Sequence, residues 1–232
     1  MQINSQIKAI LFDLDDTLLD GKTAQNNALK DFKEIFPRLK QIDKTELEEK
    51  WRGITLKHYD TFQKGKITFE ESRIRRMQDL FLIVGDKLSK EESKERFKIY
   101  KKLYEDNWIA FSDAIEVLKS LNGKYKLGII TNGDSTQQRE KIDKIGITKY
   151  FDQITISSEV GYAKPDREIF EVTCNKLNVK PEECVMIGDK FKVDVQGGIN
   201  IGMKSIWINR KNEDINYDLQ TTSLKKIMEI IE

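Results

Sequence analysis

Length, composition and charge limit what this chain can be. Its 232 residues suit one core domain that carries a smaller inserted or appended domain. The formal net charge of +1, from 40 Lys and Arg against 39 Asp and Glu, gives no electrostatic basis for a nucleic acid or an anionic membrane as a general partner. No apolar window approaches the ~18 residues of a membrane span, and the N-terminus lacks a signal-peptide pattern, so we expect a cytoplasmic protein.

The histidine and cysteine content narrows the chemistry. A single histidine, His58, excludes multi-histidine metal sites and disfavours a Ser-His-Asp arrangement. Its position in a charged, helical stretch predicts a packing or surface role. Cys174 and Cys184 lack metal-ligand spacing and are predicted to pack as small apolar residues in the core. Any catalysis should therefore use carboxylates, hydroxyls and lysine.

Short apolar runs alternate with helical patterns along the chain. The first run, 9–12, precedes an all-helical interval in which Thr68 and Ser89 each begin a capping-box pattern. Continuous apolar runs of this kind predict strands that are covered on both faces. The later runs are 126–131, 153–157, 184–189 and 204–209. Segments with helical period lie at 112–121, 135–146, 166–178, 192–202 and 222–231.

This order of elements predicts an α/β fold. Strand and helix alternate after about residue 108, which is typical of a doubly wound parallel sheet. We assign residues 1–19 and 108–232 to this α/β core, and residues 20–107 to an inserted, all-helical, lid-like domain.

Four polar motifs stand where predicted strands end, which is where open parallel sheets bind ligands. Each one alone is an ordinary acidic turn, loop or helix start, but four in this order predict a single site. The candidate residues are Asp13, Asp15 and Thr17 in DLDDT, Thr131 and Asn132 in TNGD, Lys164 in AKPD, and Asp189 and Asp194 in GDKFKVD. Asp16, within the first motif, is predicted to shape the turn.

Together these motifs resemble those of the haloacid dehalogenase-like hydrolase superfamily, whose members carry them on a Rossmann-like core. The resemblance covers nearly the whole chain, with a helical cap inserted after the first motif. Residues 127–152, 157–170 and 185–209 look especially similar to pyrimidine 5'-nucleotidases and N-acylneuraminate-9-phosphatases.

The resemblance implies a role for each motif residue. Asp13 would be the nucleophile that forms an aspartyl-phosphate, and Asp15 the general acid and then base. Neighbouring negative charge is expected to raise the pKa of Asp15. Thr131 and Asn132 would bind phosphoryl oxygens through hydroxyl, amide or backbone groups. Lys164 would supply positive charge opposite Asp13.

The same resemblance implies a magnesium site. Mg²⁺ suits oxygen-only donors, and the family pattern places it on Asp13, the backbone carbonyl of Asp15, and Asp189. Asp194 would hold a metal-bound water or support the other ligands. The sequence departs from the pattern at Lys190, where many relatives carry a small hydroxyl residue. That lysine either extends into solvent or places a second cation near the metal.

The function implied is Mg²⁺-dependent phosphomonoester hydrolysis of a small phosphorylated metabolite, with a nucleoside 5'-monophosphate ahead of a sugar phosphate. N-acylneuraminate-9-phosphate and phosphoglycolate types remain alternatives. A dehalogenase needs no acid at Asp15, so this residue favours phosphoryl transfer. A phosphomutase shares all four motifs and stays open. A receiver domain is much shorter, and an inactive binding module would not need the full set of motif residues.

The helical interval would close over the site as a cap and contact the leaving group. Its residues Trp51, His58, Tyr59, Phe62, Arg73 and Arg76 could recognise a base or a sugar. For each of them, helix packing or a solvated surface is the competing interpretation. As partners we expect no nucleic-acid polymer and no membrane, and the protein to be a monomer or a homodimer.

Overall fold

The computed structural model describes residues 7–231, which form two compact units. One unit is the segment Lys22–Trp108, and the other comprises the described residues on either side of it. Among residues 7–231, no helix combines the length and apolar content that crossing a membrane requires.

The α/β unit is built on a six-stranded parallel sheet with strand order β3-β2-β1-β4-β5-β6. The strands are β1 (Ala9–Phe12), β2 (Lys126–Thr131), β3 (Gln153–Ile156), β4 (Cys184–Gly188), β5 (Lys204–Ile208) and β6 (Gln220–Thr221). The five predicted strands are confirmed to within one residue at each end. Strand β6 was not predicted, because its two residues are too short to show a pattern.

The burial of the central strands explains their uninterrupted apolar sequence. All four residues of β1 are fully buried, as expected for a strand with a neighbour on each side and helices above and below. The α-helices of this unit are α5 (Ala114–Leu121), α6 (Ser135–Lys144), α7 (Ser157–Val160), α8 (Arg167–Leu177), α9 (Gln196–Asn200) and α10 (Ile227–Ile231). Cys174 and Cys184 are free and buried in the cluster between α8 and the sheet, so their predicted packing role is confirmed.

The strand order brings the motif-bearing strand ends together. Strand β1 pairs with β4 so that Phe12 lies opposite Ile187, and with β2 so that Phe12 lies opposite Ile129. The backbone N–H of Asp13 continues the first ladder by donating to the carbonyl of Ile187 at 2.8 Å. Three of the four motifs therefore leave the sheet from adjacent strands at one edge.

One predicted helix has a different form. The periodicity predicted a regular helix over 192–202, but the structure has a π-helical turn at Phe191–Val195 followed by the short helix α9. The turn is closed by the N–H of Gln196, which donates to the carbonyl of Phe191. A π turn advances the chain by one extra residue and is frequent at functional sites. Here it contains Asp194, one of the candidate residues.

The helical unit consists of helices α1 (Gly21–Ile35, whose first residue belongs to the α/β unit), α2 (Lys44–Gln63), α3 (Phe69–Leu82) and α4 (Lys90–Asp106). Thr68 and Ser89 are the N-caps of α3 and α4, and Ser89 makes the full reciprocal capping box with Glu92. Both predicted caps are thus confirmed.

The interior of the helical unit is aromatic. Its fully or nearly buried members include Phe32, Trp51, Phe81 and Tyr100, and the Trp51 indole donates to the Tyr100 hydroxyl at 2.9 Å. His58 is buried and lies 2.8 Å from a carboxylate oxygen of Asp79, so its predicted packing role is confirmed.

Candidate active site

Asp13 lies directly after β1 and is almost fully buried, with 7% of its surface exposed. One carboxylate oxygen accepts a hydrogen bond from the Lys164 ammonium at 2.6 Å, and the other accepts from the Thr17 hydroxyl at 3.2 Å. The ladder bond from its backbone fixes the direction in which the side chain leaves the sheet. Asp13 is therefore held both by its own loop, through Thr17, and by the distant Lys164.

Lys164 is the buried cation at the centre of the site. Its ammonium contacts Asp13 and also lies 2.7 Å from a carboxylate oxygen of Asp194. The side-chain amide of Asn132 makes two hydrogen bonds with the Lys164 backbone. It donates to the carbonyl and accepts from the N–H, both at 2.8 Å. That pairing gives the amide a positioning role and leaves the backbone N–H of Asn132 as the group that the sequence prediction offers to a phosphoryl oxygen.

Asp13, Asp189 and Asp194 form an acidic triad whose candidate ligand atoms all lie within 4.8 Å of one another. One oxygen of Asp189, Oδ1, is buried and has no hydrogen-bond partner among residues 7–231. Its other oxygen faces the Lys211 ammonium at 3.3 Å. An oxygen-only donor set with an unsatisfied buried carboxylate atom fits a hard divalent cation such as Mg²⁺.

The glycine before Asp189 permits this geometry. A Cβ atom on Gly188 would fall 2.4 Å from the side chain of Asp194, which is closer than atoms can approach. The N–H of Lys190 donates to the Asp194 carboxylate at 2.9 Å and completes the turn. The π-helical turn and Gly188 together bring Asp194 back against the strand end.

Electrostatics in the triad are governed by burial. Burial raises the pKa of Asp13 to about 6 against the lowering effect of Lys164. Burial and the charge of Asp13 raise the pKa of Asp189 to about 7. The pKa of Lys164 is raised as well, because the attraction of Asp13 and Asp194 outweighs the cost of burying its charge. These carboxylates repel one another strongly enough that a cation stabilises the cluster.

Asp15 faces a different set of partners, on helix α6. The Lys141 ammonium donates to both of its carboxylate oxygens, at 2.7 and 2.9 Å, and the Gln138 amide donates to one of them at 2.9 Å. Burial acts to raise the pKa of Asp15, but Lys141 and Gln138 outweigh it, so the pKa is lowered. The expectation of a raised pKa was therefore wrong, because it counted the neighbouring aspartates and missed the lysine.

Gln138 also connects Asp15 to the second motif. Its amide nitrogen donates to the Thr131 hydroxyl at 2.6 Å, and its amide oxygen accepts from Lys141 at 2.8 Å. Gln138 and Lys141 are 1% and 5% exposed, so this network is shielded from water. Thr131, which accepts from Gln138, keeps its own hydroxyl hydrogen available for an anion.

Gln138 and Lys141 were missed from the sequence because polar residues on a charged helix are usually solvated. A usable signal existed. Both residues lie at helical spacing with Ile142, whose side chain marks the buried face of α6. Polar residues on the apolar face of a helix that follows a motif are candidates for a site.

Lys190 has an exposed side chain beside the triad. Desolvation acts to lower its pKa, but the charges of Asp13, Asp189 and Asp194 raise it well above its usual range. The Trp207 indole donates to the carbonyl of Asp189 at 2.8 Å and holds the preceding backbone in place. Lys190 is thus an exposed residue that is coupled electrostatically to the acids.

The sequence-predicted site residues all lie in the α/β unit. Hydrogen bonds and close carboxylate contacts join Asp13, Asn132, Lys164, Asp189 and Asp194 in one group, and Gln138 joins Asp15 to Thr131 in a second group. Both groups lie at the carboxyl edge of the parallel sheet, where open α/β folds bind their ligands. A model of the haloacid dehalogenase-like hydrolase family matches residues 7–202, and the chain belongs to that family.

Relatives in this family include phosphatases. The chain is 29% identical to human N-acylneuraminate-9-phosphatase over 89% of its own length and 84% of the relative's. It is 37% identical to the pyrimidine 5'-nucleotidase YjjG of Escherichia coli over 44% of its length and 45% of that protein's. In fold it is similar to a magnesium-bound structure of the HAD-hydrolase YfnB from Bacillus subtilis, with a TM-score of 0.81, 23% identity and coverage of 98% and 99%.

Proposed function

We propose that the protein is a Mg²⁺-dependent phosphomonoesterase that works through an aspartyl-phosphate on Asp13. The observation that carries this proposal is the buried Lys164 ammonium held between Asp13 and Asp194, with the unsatisfied oxygen of Asp189 close by. A carboxylate that is fixed beside a cation, with an unsatisfied carboxylate oxygen nearby for a second cation, suits attack on an anionic phosphate.

In the first step an oxygen of Asp13 attacks phosphorus, and the bond from phosphorus to the leaving oxygen breaks. Asp15, whose pKa Lys141 and Gln138 lower, takes up a proton from solvent when the anionic phosphate binds beside it and gives that proton to the leaving oxygen. In the second step water attacks the phosphorus of the aspartyl-phosphate, and Asp15 takes a proton from that water. The bond between phosphorus and the Asp13 oxygen breaks, which releases phosphate and restores Asp13. Lys164 holds positive charge beside the reacting atoms throughout.

Asp13, Asp189 and Asp194 are the carboxylates that would hold Mg²⁺, and the Asp15 carbonyl remains a predicted further ligand. When bound, Mg²⁺ supplies charge that offsets the repulsion between these acids and the phosphate. Thr131 donates its hydroxyl, and Asn132 its backbone N–H, to phosphoryl oxygens. Lys141 and Gln138 orient the Asp15 carboxylate through their hydrogen bonds to it.

The substrate proposed is a small phosphorylated metabolite. A nucleoside 5'-monophosphate follows from the resemblance in the second, third and fourth motifs, and the nucleotidase match supports it. A sugar phosphate of the N-acylneuraminate-9-phosphate type is the second candidate, because the match to N-acylneuraminate-9-phosphatase extends over most of both chains. The helical segment inserted after the first motif is proposed as the cap that selects between leaving groups.

The test is phosphate release from p-nitrophenyl phosphate, nucleoside monophosphates, phosphoglycolate and sugar phosphates, with and without Mg²⁺. Wild-type protein and Asp13→Asn are compared, with the exposed Asp214→Asn as the matched control. We expect Asp13→Asn to lose at least about 10³-fold in kcat, and Asp214→Asn to match wild type. Equal rates for wild type and Asp13→Asn would refute the mechanism, and the panel identifies the substrate.

A further inference from the structure

The helical unit contains a buried arginine that has no counter-ion. Arg76, on α3, is 9% exposed. Its one described hydrogen bond runs from a terminal nitrogen to the Ser72 hydroxyl at 3.2 Å. The Nε atom is buried and has no partner among residues 7–231, and none of the ion pairs in that range includes Arg76. Of the guanidinium nitrogens, Nε is thus buried without a partner and one terminal nitrogen has a single hydroxyl acceptor.

The groups that act most strongly on the pKa of Arg76 include no carboxylate. Burial lowers its pKa to about 10, and the neighbouring Arg73 acts in the same direction. The other groups that act most strongly on it are the tyrosines Tyr59, Tyr100 and Tyr104, which are neutral at pH 7. Three helices therefore surround a buried cation with phenol groups and a second cation.

A further unsatisfied donor lies in the same part of the helical unit. The Trp108 ring is 5.5 Å from that of Tyr104, centroid to centroid, and the residue is 4% exposed. Its indole Nε1 is buried and has no hydrogen-bond partner among the described residues. Two buried donors without acceptors among residues 7–231 thus lie in one neighbourhood, which suits an acceptor supplied by a ligand.

The adjacent Arg75 shows what an ordinary arginine of this helix does. It is exposed and donates to the carboxylate of Glu71, one turn earlier, at 2.8 Å. An arginine on helix α3 can therefore form an ion pair with a carboxylate. Burying a charge without a partner is costly, and buried charges in proteins are normally paired or hydrogen-bonded.

We infer that Arg76 is the centre of an oxyanion-binding site, which takes the carboxylate or phosphate group of a small molecule on the guanidinium fork. A planar fork binds two oxygens of such a group at once and supplies the missing counter-charge. The inference concerns the helical unit and does not depend on the proposed phosphatase reaction.

The test measures anion binding to the full chain by isothermal titration and by the shift in melting temperature. The probes are glucuronate for a carboxylate and sulfate for a tetrahedral oxyanion, with glucose plus sodium chloride at matched ionic strength as the blank. Wild type is compared with Arg76→Met, with Arg76→Lys, which keeps the charge without the fork, and with Arg75→Met as the matched control.

We expect at least one oxyanion to bind wild type and Arg75→Met equally, and to bind Arg76→Met at least about tenfold more weakly. The Arg76→Lys protein should bind with an intermediate affinity. Without anion, Arg76→Met should melt at or above the wild-type temperature, because it removes an unpaired buried charge. Glucuronate and sulfate results distinguish a carboxylate ligand from a phosphate-like one.

Three results would overturn the inference. The first is that neither oxyanion binds wild type. The second is that Arg76→Met binds them as well as wild type does. The third is that Arg76→Met melts well below wild type in the absence of anion, since the guanidinium would then be a structural group. Each of these can be recorded on protein that has no phosphatase activity.

Discussion

Two buried cations, one in each unit, have opposite surroundings. In the α/β unit, Lys164 lies between two carboxylates at 2.6 and 2.7 Å, and its backbone is gripped by Asn132. In the helical unit, Arg76 has one hydroxyl partner at 3.2 Å and a second arginine as its charged neighbour. Both are at least nine-tenths buried.

The difference teaches that burial alone does not identify the role of a charge. The Lys164 ammonium lies between two carboxylates of an acidic triad, which suits the binding of a metal and then of a phosphate. The Arg76 guanidinium has no ion pair among the described residues, which suits the direct binding of an anion. The two proposals thus assign a positive ligand to the α/β unit and a negative ligand to the helical unit.

The largest expected effect comes from breaking the paired site. Lys164→Met should lower kcat/KM for aryl phosphates by about 10³-fold or more, because it removes fixed positive charge beside the nucleophile. Without Mg²⁺ it should also destabilise the protein by roughly 3–5 kcal/mol, since Asp13 and Asp194 lose their partner. Steady-state kinetics and urea melts measure the two effects. Lys176→Met, an exposed lysine on α8, is the control and should change neither.

A smaller effect is expected at Lys141, which pairs with Asp15 in the same unit. Lys141→Met should lower kcat/KM for an alkyl phosphate by about 10–100-fold and for p-nitrophenyl phosphate much less, because only the alkyl leaving group needs a well-placed acid. Lys144→Met, an exposed lysine on the same helix, is the control. Equal losses on both substrates would mean that Lys141 is merely structural.

The smallest effect concerns Asp113, a paired carboxylate of the α/β unit. Arg210 at 3.0 Å, the Ser223 hydroxyl at 2.8 Å and the N–H of Leu224 at 2.8 Å all donate to it. Burial acts to raise the pKa of Asp113, but these donors lower it. As the pH falls, Asp113 is thus protonated in the unfolded chain before it is protonated in the folded protein. The contribution of its charge to the free energy of unfolding is therefore present above pH about 4 and is lost progressively below it.

Asp113→Asn should therefore be less stable than wild type by roughly 1–2 kcal/mol at neutral pH, and this gap should close as the pH falls from about 5 to about 3. Denaturant melts at several pH values measure it, and subtracting the variant from wild type removes the titration of the other acids. A gap that stays constant with pH would show that the charge of Asp113 contributes nothing.

Much of the fold was predictable because local patterns are strong in a parallel sheet. The buried strands are uninterrupted apolar runs, and the acids follow them at once, so both strands and site residues could be placed by number. The caps Thr68 and Ser89 were predictable for the same reason, since a capping box involves residues three apart. The π-helical turn at Phe191–Val195 was not predictable, because its sequence has the ordinary period of an α-helix.

By itself, the sequence determined the order of strands and helices along the chain, the family, and the residues of the four motifs. Only the tertiary structure decided the partner of each charge. Lys141 reaches Asp15 across 126 positions of the chain, and this contact reverses the expected pKa shift. Arg76 and Arg75 are adjacent in sequence, yet one is buried without a counter-ion and the other is exposed and paired. Charge and spacing are local properties, whereas burial and pairing depend on which distant elements pack together.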